Sequence, residues 1–126
     1  MTQKILSVDD SATMRRVVAR TVAVLGYGFL EAANGLQALE VLDREGSQVA
    51  LVILDVNMPE LDGESTLQRI KAHPQHRSIP VMMLTTESER ARILRFIQEG
   101  ACNYLVKPFS EQDLAAKIAA SLGLGF

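Results

Sequence analysis

Five short apolar runs recur along the chain at intervals of roughly 20 to 30 residues: Ile5 to Val8, Phe29 to Ala33, Val49 to Leu54, Ile79 to Leu84 and Tyr104 to Val106. They read as strands. Most lack the alternation of apolar and polar residues that a sheet with one wet face shows, so both faces must be covered, as in parallel α/β sheets. Amphipathic helical patterns fill the intervals. After the first run, Met14, Val17, Val18, Thr21, Val22 and Leu25 form one stripe, with Ser11 as N-cap and Gly26 as stop. Asn34-Gly35 opens a second helix that carries Leu36, Leu39 and Leu42 inward towards Gly46. Glu64 to Ala72 reads as a third, ended by Pro74, and Ser88 to Glu99 as a fourth, closed by Gly100. Ser110-Glu111-Gln112-Asp113 starts a fifth with a capping-box pattern, and Leu114, Ile118 and Leu122 point inward.

Right-handed crossovers and helices on both faces restrict five such βα units to a doubly wound sheet. The 126 residues are expected to form one domain, residues 1–126, with no output domain. A chain of this size buries about two-thirds of its unfolded surface and needs no disulfide or structural metal to fold. The single cysteine, Cys102, cannot close an internal bridge; it reads as a small buried or turn residue, in a chain expected to be cytoplasmic. Thirteen basic against fifteen acidic residues give a net charge of −2, which supplies no general field for nucleic acid. No apolar stretch approaches the ~18 residues of a membrane span.

In a doubly wound sheet, ligands bind beyond the carboxyl ends of the strands. Asp9-Asp10 follow the first run, Asp55 the third, Thr85-Thr86 the fourth and Lys107-Pro108 the fifth. One acid after a strand is often a cap or turn residue, but three carboxylates, a hydroxyl and a lysine on one edge are not a coincidence of turns. Two unit charges ~4 Å apart repel by about 4 kcal/mol at an effective dielectric of 20, so the carboxylates must take up protons or recruit a cation. Lys107 balances one. The remainder suits Mg²⁺, which accepts one or two carboxylates, keeps waters and leaves positions for phosphate oxygens. A carboxylate in such surroundings is a nucleophile towards phosphorus. Asp55, on the central strand, is assigned that role, with Asp9 and Asp10 holding the metal and Thr85 and Lys107 contacting the phosphoryl oxygens.

These residues resemble the receiver domain of two-component response regulators, in its single-domain chemotaxis type. The pieces that match are Val8-Asp9-Asp10-Ser11, Leu54-Asp55-Val56-Asn57-Met58-Pro59 with Asp62-Gly63, Leu84-Thr85, and Tyr104-Leu105-Val106-Lys107-Pro108-Phe109. They span nearly the whole chain, with 30 residues from Asp55 to Thr85 and 22 from Thr85 to Lys107. The resemblance implies a flavodoxin-like (βα)5 fold with strand order 2-1-3-4-5. It implies phosphorylation of Asp55 by a histidine kinase or its phosphotransfer domain, with Mg²⁺ on Asp10, Asp55 and the backbone carbonyl of Asn57 and with Asp9 acting through water. It makes Thr85 and Tyr104 the switch pair, Asn57 and Glu87 the residues that tune dephosphorylation, and Ser88 to Leu122 the face that binds an effector protein. Thr86 departs from the family's usual small residue. The output expected is protein binding in chemotaxis; the alternatives are a phosphate sink or relay, or a receiver cut from a longer DNA-binding regulator.

Two other enzyme or cofactor classes fit less well. Haloacid-dehalogenase phosphatases place a second aspartate two residues after the nucleophile, where this chain has Asn57, so no phosphatase of that type is expected. A flavodoxin needs a glycine- and hydroxyl-rich phosphate loop where Asp9-Asp10 stand. His73 and His76, flanking Pro74 without an acidic neighbour in sequence, read as solvated loop residues. Met82 and Met83 read as core. Arg90, Arg92 and Arg95 read as a solvated face of the fourth helix or a contact for an acidic partner, and Arg15, Arg16 and Arg20 as contacts for the kinase.

Overall fold

In a computed structural model, which describes residues 3–124, the five strands form one parallel sheet in the order β2-β1-β3-β4-β5. The strands are β1 (Lys4–Val8), β2 (Gly28–Ala32), β3 (Val49–Asp55), β4 (Val81–Thr86) and β5 (Asn103–Lys107). The helices are α1 (Ala12–Val24), α2 (Gly35–Glu45), α3 (Gly63–Ala72), α4 (Ile93–Gln98) and α5 (Glu111–Ser121). The strand pattern explains the two-layer cover. Alternate residues Ile5, Leu51, Ile53, Met82, Leu84 and Leu105 meet Val18 and Val22 of α1 and Leu114 and Ile118 of α5. Their neighbours Leu6, Val8, Val52, Leu54, Val81 and Met83 meet α2, α3 and Phe96 of α4 on the other face. Both side-chain sets of each central strand are therefore apolar, and this is why alternation is absent.

Local signals act at the helix ends. The Ser11 side chain accepts from Met14 N–H, Asn34 from Gln37 N–H and Asp62 from Ser65 N–H. Ser110 and Asp113 form the full capping box. Gly26, at φ +85°, ends α1 in the left-handed region that favours glycine.

The structure shifts three of the expected elements. β4 begins two residues after Ile79 and runs through Thr85 and Thr86, because these two pair with Val106 and Lys107 of β5. Leu36 is 43% exposed; the buried stripe of α2 is Gly35, Ala38, Val41 and Leu42. The fourth helix is not continuous from Ser88. Glu87–Arg92 is a 3-10 helix, and only Ile93–Gln98 is α. Its pairs Glu87–Arg90 and Glu89–Arg92 lie three residues apart, the spacing that eclipses in a 3-10 turn.

Gly63 fixes the start of α3 against the end of β3. Its N–H donates to Val56 O at 2.9 Å, and a Cβ there would fall well inside contact distance of Asp55 O and Val56 Cα. Both are backbone atoms and neither yields cheaply. Gly63→Ala is expected to destabilise the fold by about 2 kcal/mol or more in urea unfolding; a change within error would show that this approach is not rigid.

Candidate functional site

The end of β1, the end of β3 and the end of β5 deliver Asp9, Asp55 and Lys107 to one point at the carboxyl edge of the sheet. Lys107 Nζ donates to Asp55 Oδ1 at 3.0 Å and lies 3.5 Å from Asp9 Oδ2. Asp9 is 1% exposed, Asp55 5% and Asp10 exposed, and one carboxylate oxygen of each lies within 4.8 Å of the others. Asp9 is anchored further by Ser11 N–H, which donates to its Oδ1 at 2.9 Å.

Burial is the main influence on Asp55 and raises its pKa; the Lys107 hydrogen bond opposes this, and Asp9 and Asp10 add to the rise. Burial disfavours the Lys107 charge, but Asp55 and Asp9 together outweigh it and hold the ammonium above its ordinary value. Three carboxylates thus face one ammonium. All the donors are hard oxygens, part of the set is open to solvent through Asp10, and the negative charge exceeds what Lys107 neutralises. This donor set fits a hard divalent cation that retains water.

Thr85 lies on β4 beside this point. It is 1% exposed, and its hydroxyl donates to Thr86 O at 3.2 Å. The Thr86 hydroxyl is paired with Ser88 Oγ at 2.8 Å. Tyr104, half-buried on β5, packs on the cluster that contains Phe96, and Lys117 Nζ sits 5.1 Å from its ring centre. Asn57 is exposed in the loop after β3, where Glu60 adopts φ 67°. Glu87 is exposed and accepts from Arg90 Nε at 3.1 Å.

A family model for the response regulator receiver domain matches residues 5–119. The chain belongs to that family. It is 40% identical over 121 residues to chemotaxis protein CheY1 of Helicobacter pylori, covering 95% of this chain and 97% of that protein. It is 38% identical over 123 residues to a chemotaxis protein CheY homolog of Campylobacter jejuni, covering 97% and 94%. Among solved structures, chemotaxis protein CheY4 of Vibrio cholerae superposes with a TM-score of 0.87 at 32% identity, covering 97% of this receiver domain and all of that chain.

Several charged residues of this receiver domain depart from the sequence reading. Arg92 and Arg95 are not a free solvated face: Arg92 Nη2, Arg95 Nε and Arg95 Nη2 each lie 2.6 Å from the Glu64 carboxylate of α3. Glu64 is 8% exposed, and Arg92 also stacks on Phe96 at 5.2 Å. Arg15 bonds Glu31 and Asp9 O, and Arg20 bonds Glu111, so only Arg16 of that trio stays uncommitted to an acid among the described residues. Of the two places expected for Cys102, buried or in a turn, the structure shows it exposed in the segment before β5. His76 is 3% exposed, against the expectation of a solvated loop, because α2 packs over the turn that follows α3 and sets Asp43 Oδ1 3.9 Å from its Nε2. Neither Glu64 nor Asp43 is near its partner in sequence, so spacing gave no signal of either cluster.

The Arg95 hydrogen bond, reinforced by Arg92, lowers the Glu64 pKa from 4.5 to about 2 despite burial. A depressed carboxylate stabilises the folded state fully above its unfolded pKa and loses that contribution as pH falls towards the folded value. Glu64→Gln is therefore expected to be less stable than the parent at pH 7, with the gap closing between pH 4.5 and 2 in denaturant titrations at fixed ionic strength. A gap that does not change with pH would contradict the ionic origin.

Proposed function

We propose that this receiver domain is a stand-alone, cytoplasmic response regulator whose output is protein binding controlled by phosphorylation of Asp55. The observation that carries the reading is the 3.0 Å contact of Lys107 with a buried Asp55, at an edge shared with Asp9 and Asp10. Asp9, Asp10, Asp55 and the backbone carbonyl of Asn57 would hold Mg²⁺. When bound, Mg²⁺ draws charge from phosphoryl oxygens and offsets the excess of carboxylates.

The phosphoryl donor is a phosphohistidine of a histidine kinase or its phosphotransfer domain. An Asp55 carboxylate oxygen forms the new P–O bond while the P–N bond breaks, and the leaving imidazole keeps the electron pair and takes up a proton. Lys107 holds Asp55 in position and then pairs with a phosphoryl oxygen. The Thr85 hydroxyl exchanges its bond to Thr86 O for a charge-assisted bond to another oxygen. Tyr104 follows into the space that Thr85 leaves. Asn57 and Glu87 orient the water that later hydrolyses the acyl phosphate, so the protein assists its own reset without being a phosphatase of other substrates.

The effector face runs from Ser88 to Leu122. Leu94 and Ile97 of α4 are 67% and 41% exposed there, apolar area that a partner would cover. The names of the Helicobacter and Campylobacter relatives favour chemotaxis. A second reading has its own support: the probable transcriptional regulator ycf27 of Porphyridium aerugineum is 37% identical over 120 residues, and this chain spans 48% of it. A receiver of this kind is also compatible with a DNA-binding regulator or with a phosphate sink. Among the described residues no helix is long and apolar enough to cross a membrane.

Incubation with acetyl phosphate and Mg²⁺ is expected to label the parent chain once and to leave Asp55→Asn unlabelled, read by intact-mass spectrometry. Equal labelling of both would overturn the assignment. The labelled form is expected to decay at the fast end of the family's range; an acyl phosphate persisting for many hours with Mg²⁺ present would contradict the roles of Asn57 and Glu87.

A further inference from the structure

We propose that Asp43, His73 and His76 form a binding site for a divalent transition ion of the zinc class, at the edge of the sheet opposite Asp55. One ligand atom from each of the three residues lies within 4.8 Å of the others. Asp43 comes from the last turn of α2, and the histidines from the turn between α3 and β4, so the group sits at the amino-terminal ends of β3 and β4. β3 alone separates this edge from Asp55 by roughly 20 Å at ~3.3 Å per residue. The inference does not depend on the reading of the Asp55 site.

The imidazole of His76 is the strongest observation. It is 3% exposed, and among the described residues its Nδ1 is buried without a hydrogen-bond partner. The other nitrogen, Nε2, faces the Asp43 carboxylate at 3.9 Å. It also faces Gly46, where a Cβ would stand 3.4 Å from Nε2 and 3.2 Å from Cδ2. The absence of a side chain at 46 leaves Nε2 beside a cleft of about 480 Å³ lined by Leu42, Asp43, Arg44, Gly46, Ser47, Gln75 and His76. Burial, aided by His73, lowers the pKa of His76 against the pull of Asp43 and of the Leu42 backbone.

His73 stacks on His76, with ring centres 3.9 Å apart and planes 13° from parallel. Its Nδ1 accepts from Gln75 N–H at 3.1 Å, a bond that breaks when the ring turns. Parallel rings direct their in-plane lone pairs side by side, so an ion shared by both requires the half-exposed His73 ring to rotate. The backbone beneath is fixed. His76 N–H and Arg77 N–H both donate to His73 O, and Lys71 Nζ donates to Arg77 O and Ile79 O at 3.1 and 2.7 Å. Two imidazoles and one carboxylate, with a position left for water, suit Zn²⁺, Co²⁺ or Ni²⁺ rather than Mg²⁺, which prefers oxygen donors. Such an ion would clip α2 to the turn after α3.

The test is calorimetric titration of the tag-free chain with ZnCl₂ in saturating Mg²⁺, with thermal unfolding measured alongside. One Zn²⁺ per chain and a raised Tm are expected. Asp43→Asn and His73→Gln, both at positions that are not fully buried, are each expected to weaken uptake by about tenfold or more while leaving the metal-free Tm near the parent value. Cys102→Ser and Asp10→Asn are expected to bind Zn²⁺ as the parent does. No Zn²⁺ uptake, uptake unchanged in Asp43→Asn and His73→Gln, or uptake lost in Cys102→Ser or Asp10→Asn would each overturn the proposal.

Discussion

Asp9 and Asp55 are nearly buried, share their edge of the sheet with Asp10, and have one lysine among them. Their mutual repulsion in a medium of low dielectric is the constraint to which the surrounding structure answers. Four of the five strands end in or lead directly into a polar residue there, Asp9 after β1, Asp55 on β3, Thr85 and Thr86 on β4 and Lys107 on β5, while the strand bodies are mostly apolar. The sheet supplies rigidity, and the edge supplies a charge imbalance that a hard cation or a proton relieves. A phosphoryl group on Asp55, as proposed, would add negative charge to a place already crowded with it, so neighbouring donors would reorganise around it.

The route from that edge to the proposed effector face is short. Thr85 lies on β4, Leu84 and Thr85 pair with Leu105 and Val106 of β5, and Tyr104 precedes them on β5, packed on the cluster that contains Phe96 of α4. Glu64 ties α3 to α4 through Arg95 and to the 3-10 turn before α4 through Arg92, and α3 starts seven residues after Val56, held by the bond from Gly63 N–H to Val56 O. Two physical links therefore run from Asp55 to α4. One passes through the hydroxyl and aromatic side chains of β4 and β5, the other through the loop after β3 and the buried carboxylate.

Where local chemistry decided the outcome, the sequence was readable. Apolar runs without alternation required a covered sheet, Ser11, Asn34 and Ser110 marked helix starts, and the residues after the runs located the Asp9, Asp10, Asp55 and Lys107 cluster. The strand order came from resemblance to receiver domains, and the structure shows the same order. What stayed illegible was long-range pairing of charged side chains. Nothing near His76 announces Asp43, which α2 carries to it, and nothing near Arg92 or Arg95 announces Glu64. The division of residues 87–98 into a 3-10 and an α segment turned on i,i+3 ion pairs competing with a weak apolar stripe.

The central claim is that the acidic edge holds a hard divalent cation through these particular carboxylates. Isothermal titration of MgCl₂ into the parent chain and into Asp10→Asn tests it most directly, since Asp10 is exposed and its replacement leaves the core untouched. The account requires one Mg²⁺ per parent chain and a loss of affinity of about tenfold or more in the variant. Equal uptake by both chains, or none by the parent, would contradict it.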